Sequence, residues 1–191
     1  MARLNANLTT LLQATYLGGS GYEGYWSPVI RAVMAFHPVS GDVYLAGVTS
    51  SADFPGAEGG AQASLITVNN SGQDSFLVRL AADLQSIIQS SYLGGSQTDA
   101  INDINIHPVS GDILAVGVTV SEDFPGTTGG YQGTLGGSQD GFVACLNEDL
   151  TELLQSTYVG SDDSSPGVSN LLTIIFNFLA VLCQKFVEYH K

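Results

Sequence analysis

Five aspartates and one aromatic loop hold most of the chemistry this chain can do. Asp53 and Asp123, and likewise Asp74 and Asp140, stand at matching places in two repeated stretches of the 191-residue sequence, and Asp99 lies in the crossover between them. A hard cation such as calcium takes several oxygen ligands, so converging carboxylates of this kind are candidate metal ligands. The competing reading is architectural: Asp opens strands and turns by accepting bonds from the backbone just after it. No Asp-x-Asp-x-Asp-Gly loop is present to favour the metal. Tyr22, Glu23, Tyr25 and Trp26 occupy an inserted segment whose counterpart in the next unit is plain Gln97-Thr98-Asp99. Aromatic rings beside an acid can stack on a sugar or anchor a protein partner. They can equally cover the end of the first unit.

Other catalytic arrangements are poorly served. His37 and His107 look like a metal pair, yet each precedes a proline at the end of a strand in a different unit, where a ring can bond turn backbone. A serine nucleophile needs a base and an oxyanion hole, and Gly-x-Ser-x-Gly is absent. Carboxylate pairs of the glycosidase kind depend on spacing in space, which the sequence does not give. Cys145 aligns with Arg79, a position that does not strictly face an apolar core, and no base or helix start lies near it to activate the thiol. With Cys183 it allows one disulfide but no disulfide framework. Asn7-Leu-Thr and Asn69-Asn-Ser fit the glycosylation pattern, which is common by chance.

The elements that would position these residues come from an internal repeat. Leu11-Leu-Gln-Ala-Thr-Tyr-Leu-Gly18, Ile87-Ile-Gln-Ser-Ser-Tyr-Leu-Gly94 and Leu153-Leu-Gln-Ser-Thr-Tyr-Val-Gly160 align without gaps. His-Pro-Val-Ser-Gly-Asp occurs at 37–42 and 107–112, and Asp-Phe-Pro-Gly at 53–56 and 123–126. Each unit reads as four short strands: Arg31–His37, Val43–Thr49, Ser75–Leu80 and a strand ending at the Tyr-Leu-Gly run, then Ile101–His107, Ile113–Thr119, Gly141–Leu146 and Glu152–Val159. Thr10–Leu17 reads as one leading strand. In such an up-and-down unit the loop between strands two and three shares a side with the crossover to the next unit. That side gathers the five aspartates and the Gly-Gly-Ser crossovers.

Regularly spaced four-stranded antiparallel units predict an all-β, β-propeller-like repeat of two full blades plus one leading strand, followed by a short C-terminal helix. The boundaries fall at 1–21 for the leading outer strand, 22–96 and 97–161 for the two blades, and 162–191 for a linker and apolar helix. The tail carries Leu171, Leu172, Ile174, Ile175, Phe176 and Phe178 with neither a Ser-Gly-Asp turn nor a matching strand. It can cover an open blade edge, contact a membrane or be an aberrant end; a full membrane span needs about 20 apolar residues.

The wording of the repeats resembles the SBBP family of bacterial β-propeller repeats. The carrying residues are Tyr92-Leu-Gly-Gly-Ser with Asp99, Ile104-Asn-Ile, Ser110-Gly-Asp-Ile, Gly117-Val-Thr, Asp123-Phe-Pro and Asp140-Gly-Phe-Val, within a match over roughly residues 10–161. The resemblance implies a secreted or surface-attached bacterial protein and transfers no catalytic residue.

Composition bounds the partners. Acidic residues number 18 against 5 basic ones, for a net charge of −13, and residues 1–161 contain no lysine. Phosphate recognition needs clustered Lys and Arg, so nucleic acid is an unsuitable partner. Hydrophobic residues at 44% against 12% charged argue for a buried core rather than disorder. The N-terminal residues show no apolar signal-peptide region. Closed propellers use about 4–8 blades, so two blades leave open edges that pair with further blades or with copies of the chain. A piece of a longer protein, an assembled oligomer and an open two-blade stack all meet that condition. The expected function is a non-enzymatic structural or adhesive module presenting loops to a protein or glycan. The alternative is a hydrolase or lyase using the acidic, calcium-binding face.

Overall fold

The computed structural model describes residues 1–24, 32–66 and 72–160. The expected helix within 162–191 lies outside them, as do Tyr25, Trp26 and Asn69. All regular structure among the described residues is antiparallel β-sheet.

β1 (Ala2–Leu4) and β2 (Leu11–Ala14) form a two-stranded ladder. β3 (Val33–Phe36), β4 (Val43–Thr49), β5 (Asp74–Leu80) and β6 (Ile87–Leu93) form one sheet in chain order. β7 (Asp99–Ile106), β8 (Ile113–Thr119), β9 (Asp140–Leu146) and β10 (Leu153–Val159) form a second with the same order. Neither sheet closes on itself among the described residues. The segment expected to be a single leading strand over Thr10–Leu17 is therefore half of a hairpin, with Ala2 opposite Ala14. β1 is only three residues long, too short for a period-two pattern to announce it.

Turn chemistry explains the repetition. His37 N donates to Asp42 O at 2.8 Å and His107 N to Asp112 O at 2.8 Å, closing the β3–β4 and β7–β8 turns. Gly41 and Gly111 sit at φ +75° and +79°, where any side chain would be strained. The hairpins β1–β2, β5–β6 and β9–β10 use a different device. Leu8, Leu84 and Leu150, at equivalent positions, all adopt positive φ of 57–59°. A left-handed leucine costs about 1–2 kcal/mol and persists where burial over-determines it. Leu84 and Leu150 are buried, as this requires.

The core lies between and behind the sheets. Tyr44, Ala46, Leu77 and Leu93 of the first sheet pack with Ile101, Ile104, Ile113 and Phe142 of the second. β7 lies against β3, β4 and β5. Within each unit a phenylalanine from the loop packs on one from the third strand, with Phe54–Phe76 and Phe124–Phe142 centroids both 4.4 Å apart. The Phe76 and Phe142 rings rest over Gly47 and Gly117, where a Cβ would collide with them.

Candidate functional site

The acidic end of the sheets is built from the crossovers upward, and it is built twice. Ser96 N and Oγ both donate to Asp123 Oδ1, at 2.8 and 2.9 Å; Ser20 makes the same pair of bonds to Asp53 Oδ1, at 2.8 and 3.0 Å. Gly95 N donates to Asp99 Oδ2 at 2.7 Å, and Ser121 Oγ reaches the same oxygen at 2.9 Å. In the first unit Gly19 N donates to Glu23 Oε1 at 3.0 Å, and Ser51 Oγ bonds that oxygen too. Glu23 is thus the structural counterpart of Asp99. It even forms a lone antiparallel bridge with Thr49, as Asp99 pairs with Thr119. The tyrosines complete the frame: Tyr92 OH donates to Ser51 O at 2.7 Å and accepts from Phe54 N at 3.0 Å, while Tyr158 repeats this with Ser121 and Phe124 at 2.8 and 3.1 Å.

Asp74 and Asp140 open the third strands from fully buried positions. Asp74 Oδ2 accepts from Ile66 N at 2.9 Å and Gln62 Nε2 at 3.1 Å; Asp140 Oδ2 accepts from Gly136 N at 2.7 Å and Gln132 Nε2 at 2.8 Å. The same glutamines accept from Gly94 N and Gly160 N, tying loop, strand and crossover together. Among the described residues, the second carboxylate oxygens of Asp74 and Asp140 are buried without a hydrogen-bond partner.

Electrostatics separates two classes of carboxylate. The Ser20 backbone bond, reinforced by its hydroxyl, holds Asp53 below the usual carboxylate range; the Ser96 backbone bond does the same for Asp123. Burial pushes Asp74 up to about 7, opposed by the bonds from Ile66 and Gln62 and helped by the nearby charge of Asp99. Burial also raises Asp99, against its bonds from Thr119, Gly95 and Ser121. A carboxyl near 7 suits a general acid, but Asp74 and Asp99 are wholly buried, which closes them to substrate in this conformation. The structure thus brings the five expected aspartates to one end of the sheets. Among the described residues no three His, Cys, Asp or Glu side chains are grouped to hold a metal.

The remaining expected residues separate. Tyr22 is exposed beside the first crossover, Glu23 is consumed by it, and Tyr25 and Trp26 lie outside the described residues. His37 Nδ1 accepts from Ser40 N at 3.1 Å and His107 Nδ1 from Ser110 N at 3.0 Å, so each ring caps its own turn. At that opposite end a groove of about 220 Å³ opens among Phe36, Pro38, Ile106 and Pro108.

One cluster was not foreseen. Arg79 is buried where the two sheets meet. Its Nε and Nη2 bond Asp42 Oδ2 at 3.0 and 2.9 Å, Nη1 bonds Asp149 Oδ1 at 2.9 Å, and Nη2 lies 3.1 Å from Glu148 Oε1. The guanidinium sits 5.6 Å from the Tyr44 ring centroid, and Tyr44 OH donates to Glu148 O at 2.8 Å. Although burial opposes it, the Arg79 contact holds Asp42 below the ordinary carboxylate value. The available signal was the unit-to-unit mismatch of Arg79 with Cys145.

No protein-family model matches the chain, and no curated protein matches it either.

Proposed function

We propose that the two sheets are consecutive blades of a propeller-type repeat of the SBBP kind, and that the chain is a non-enzymatic scaffold. It holds loops rigidly for a protein or glycan partner, outside the cell or at its surface, and its open flanks take further blades. The supporting observation is the fate of the acidic end. Asp53 and Asp123 are spent on backbone and hydroxyl donors of their own crossovers, and Asp74, Asp99 and Asp140 are sealed inside. Catalytic carboxylates need reach to substrate and to each other; these secure turns instead. With the crossovers clamped in this way, Tyr22, exposed beside the first of them, is a ring open to a partner.

The test is a binding screen of the whole chain on a glycan array, paired with turnover assays on nitrophenyl glycosides. Glycan binding that Tyr22→Ala weakens, without turnover, supports the scaffold. Turnover abolished by Asp74→Asn or Asp99→Asn replaces it with the hydrolase.

A further inference from the structure

The β1–β2 hairpin carries a sequence similar to those of β5–β6 and β9–β10 but not the same surroundings. Tyr16 is fully exposed, whereas its equivalents Tyr92 and Tyr158 are 1% and 0% exposed. Leu8 is 75% exposed, against 6% for Leu84 and 0% for Leu150. Leu4 and Leu11 are exposed where Leu80 and Leu146 are buried and Ile87 and Leu153 are partly so. An internal control accompanies these differences: Leu12, Ile88 and Leu154 are 52%, 47% and 44% exposed, so the position facing outward is the same in all three hairpins. Among the described residues, the face that the other copies bury is bare here at Leu4, Leu8, Leu11 and Tyr16, while Met1 and Leu17 pack against the core of the first sheet.

What covers that face is visible in the other copies. Tyr92 and Tyr158 are received by Ser51–Phe54 and Ser121–Phe124, and Leu80 and Leu84 pack with Val43, Leu45 and Phe54. Both covers are first-half segments: two strands with a Ser-Gly-Asp turn and an Asp-Phe-Pro-Gly loop. Leu8 also retains the left-handed backbone that its buried equivalents adopt, a strain normally held in place by packing. Arg3 matches Arg79, whose guanidinium is satisfied by an aspartate of the covering segment, Asp42; among the described residues Arg3 has no ion pair.

We propose that the β1–β2 hairpin is a docking site for a half-repeat: two antiparallel strands bearing the Asp-Phe-Pro-Gly loop, added edge-on to β1 as β4 is to β5. This rests on reading the sheets as repeat units. A second copy of the chain is a poor donor, because its β3–β4 and β7–β8 pairs are already joined to β5 and β9. The mode is strand addition, in which backbone bonds supply affinity and the loop pocket for the tyrosine supplies selectivity.

The experiment nitrates the full chain with tetranitromethane and maps the modified tyrosines. It is run alone, with a synthetic peptide of residues 97–133, with that peptide carrying Phe124→Ala and Asp123→Ala, and with residues 97–143 fused ahead of Ala2. Alone, Tyr16 reacts while Tyr92 and Tyr158 do not. The intact peptide, or the fusion where the peptide is insoluble, brings Tyr16 down to the rate of Tyr158, and the altered peptide does not. Tyr16 reacting unchanged in both peptide and fusion overturns the docking site, as does equal protection by the altered peptide. Protection in the chain alone, with a dimer mass, overturns the assigned occupant. Reactive Tyr92 and Tyr158 overturn the repeat reading itself.

Discussion

Arg79 on β5 and Asp149 in the β9–β10 turn, 70 residues apart in the chain, meet at 2.9 Å across the junction of the two sheets. Asp42, from the arginine's own sheet, holds the other edge of the same guanidinium. Arg79→Met leaves the buried Asp42 without its countercharge, and breaking a buried pair in this way costs about 3–5 kcal/mol. Urea unfolding measures the loss. A second substitution, Asp42→Asn, recovers a large part of it; recovery of nothing would show that the arginine acts by packing alone.

Tyr158 and Tyr16 separate an embedded tyrosine from an uncovered one. Tyr158→Phe orphans Phe124 N and Ser121 O in the interior and costs about 1–3 kcal/mol. Tyr16→Phe leaves the unfolding midpoint where it was, since the hydroxyl of Tyr16 is in solvent. Thermal denaturation of both variants beside the parent checks the contrast.

Stability in the weakly acidic range follows from Asp74. Its carboxyl titrates near 7 in the folded chain against 3.8 unfolded, so the native state holds the extra proton between those values. The penalty of a buried charge is absent below pH 4, develops as pH rises and is complete above 7, at up to about 1.4 kcal/mol per pH unit. Asp74→Asn therefore raises stability at pH 8 and flattens the unfolding free energy between pH 4 and 7. A variant whose pH profile runs parallel to the parent's would sink this assignment. Below pH 4 the sign reverses: Asp53 and Asp123, held low by their crossover serines, are protonated and their bonds are lost.

The crossover clamp is local and exposed. Asp123→Ala frees Ser96 N and Oγ and costs about 0.5–1.5 kcal/mol. Amide hydrogen exchange at Ser96 quickens while the β8 and β9 amides stay protected. Exchange that also spreads through those strands would mean that the aspartate holds the whole sheet.

Much of the fold was legible because the same sentence is written twice. Period-two alternation, the His-Pro-Val-Ser-Gly-Asp turns and the matched Tyr-Leu-Gly runs fix strands and order without any knowledge of packing. β1 escaped notice although Leu4-Asn5 and Leu8-Thr9 match Leu146-Asn147 and Leu150-Thr151, and although Asn5 Oδ1 accepts from Thr9 N as Asn147 Oδ1 does from Thr151 N, both at 2.8 Å. Glu23 stands among aromatic neighbours, and a glutamate hides its kinship with Asp99; its place five residues after Gly18, as Asp99 follows Gly94, is the better guide. The Arg79 cluster leaves no trace in the sequence beyond the mismatch of Arg79 with Cys145. Its acceptors come from two turns, Asp42 from one and Glu148 and Asp149 from the other, and only packing brings charges so distant in sequence together.

The guanidinium belongs to one unit and two of its three acceptors to the unit that follows, so neighbouring units are not interchangeable. Cys145 stands where the second unit would need an arginine to grip a third in the same manner. Shuffling the two units would juxtapose a thiol with carboxylates that expect a cation. Sequence thereby encodes an itinerary as well as a shape, with each piece addressed to its successor.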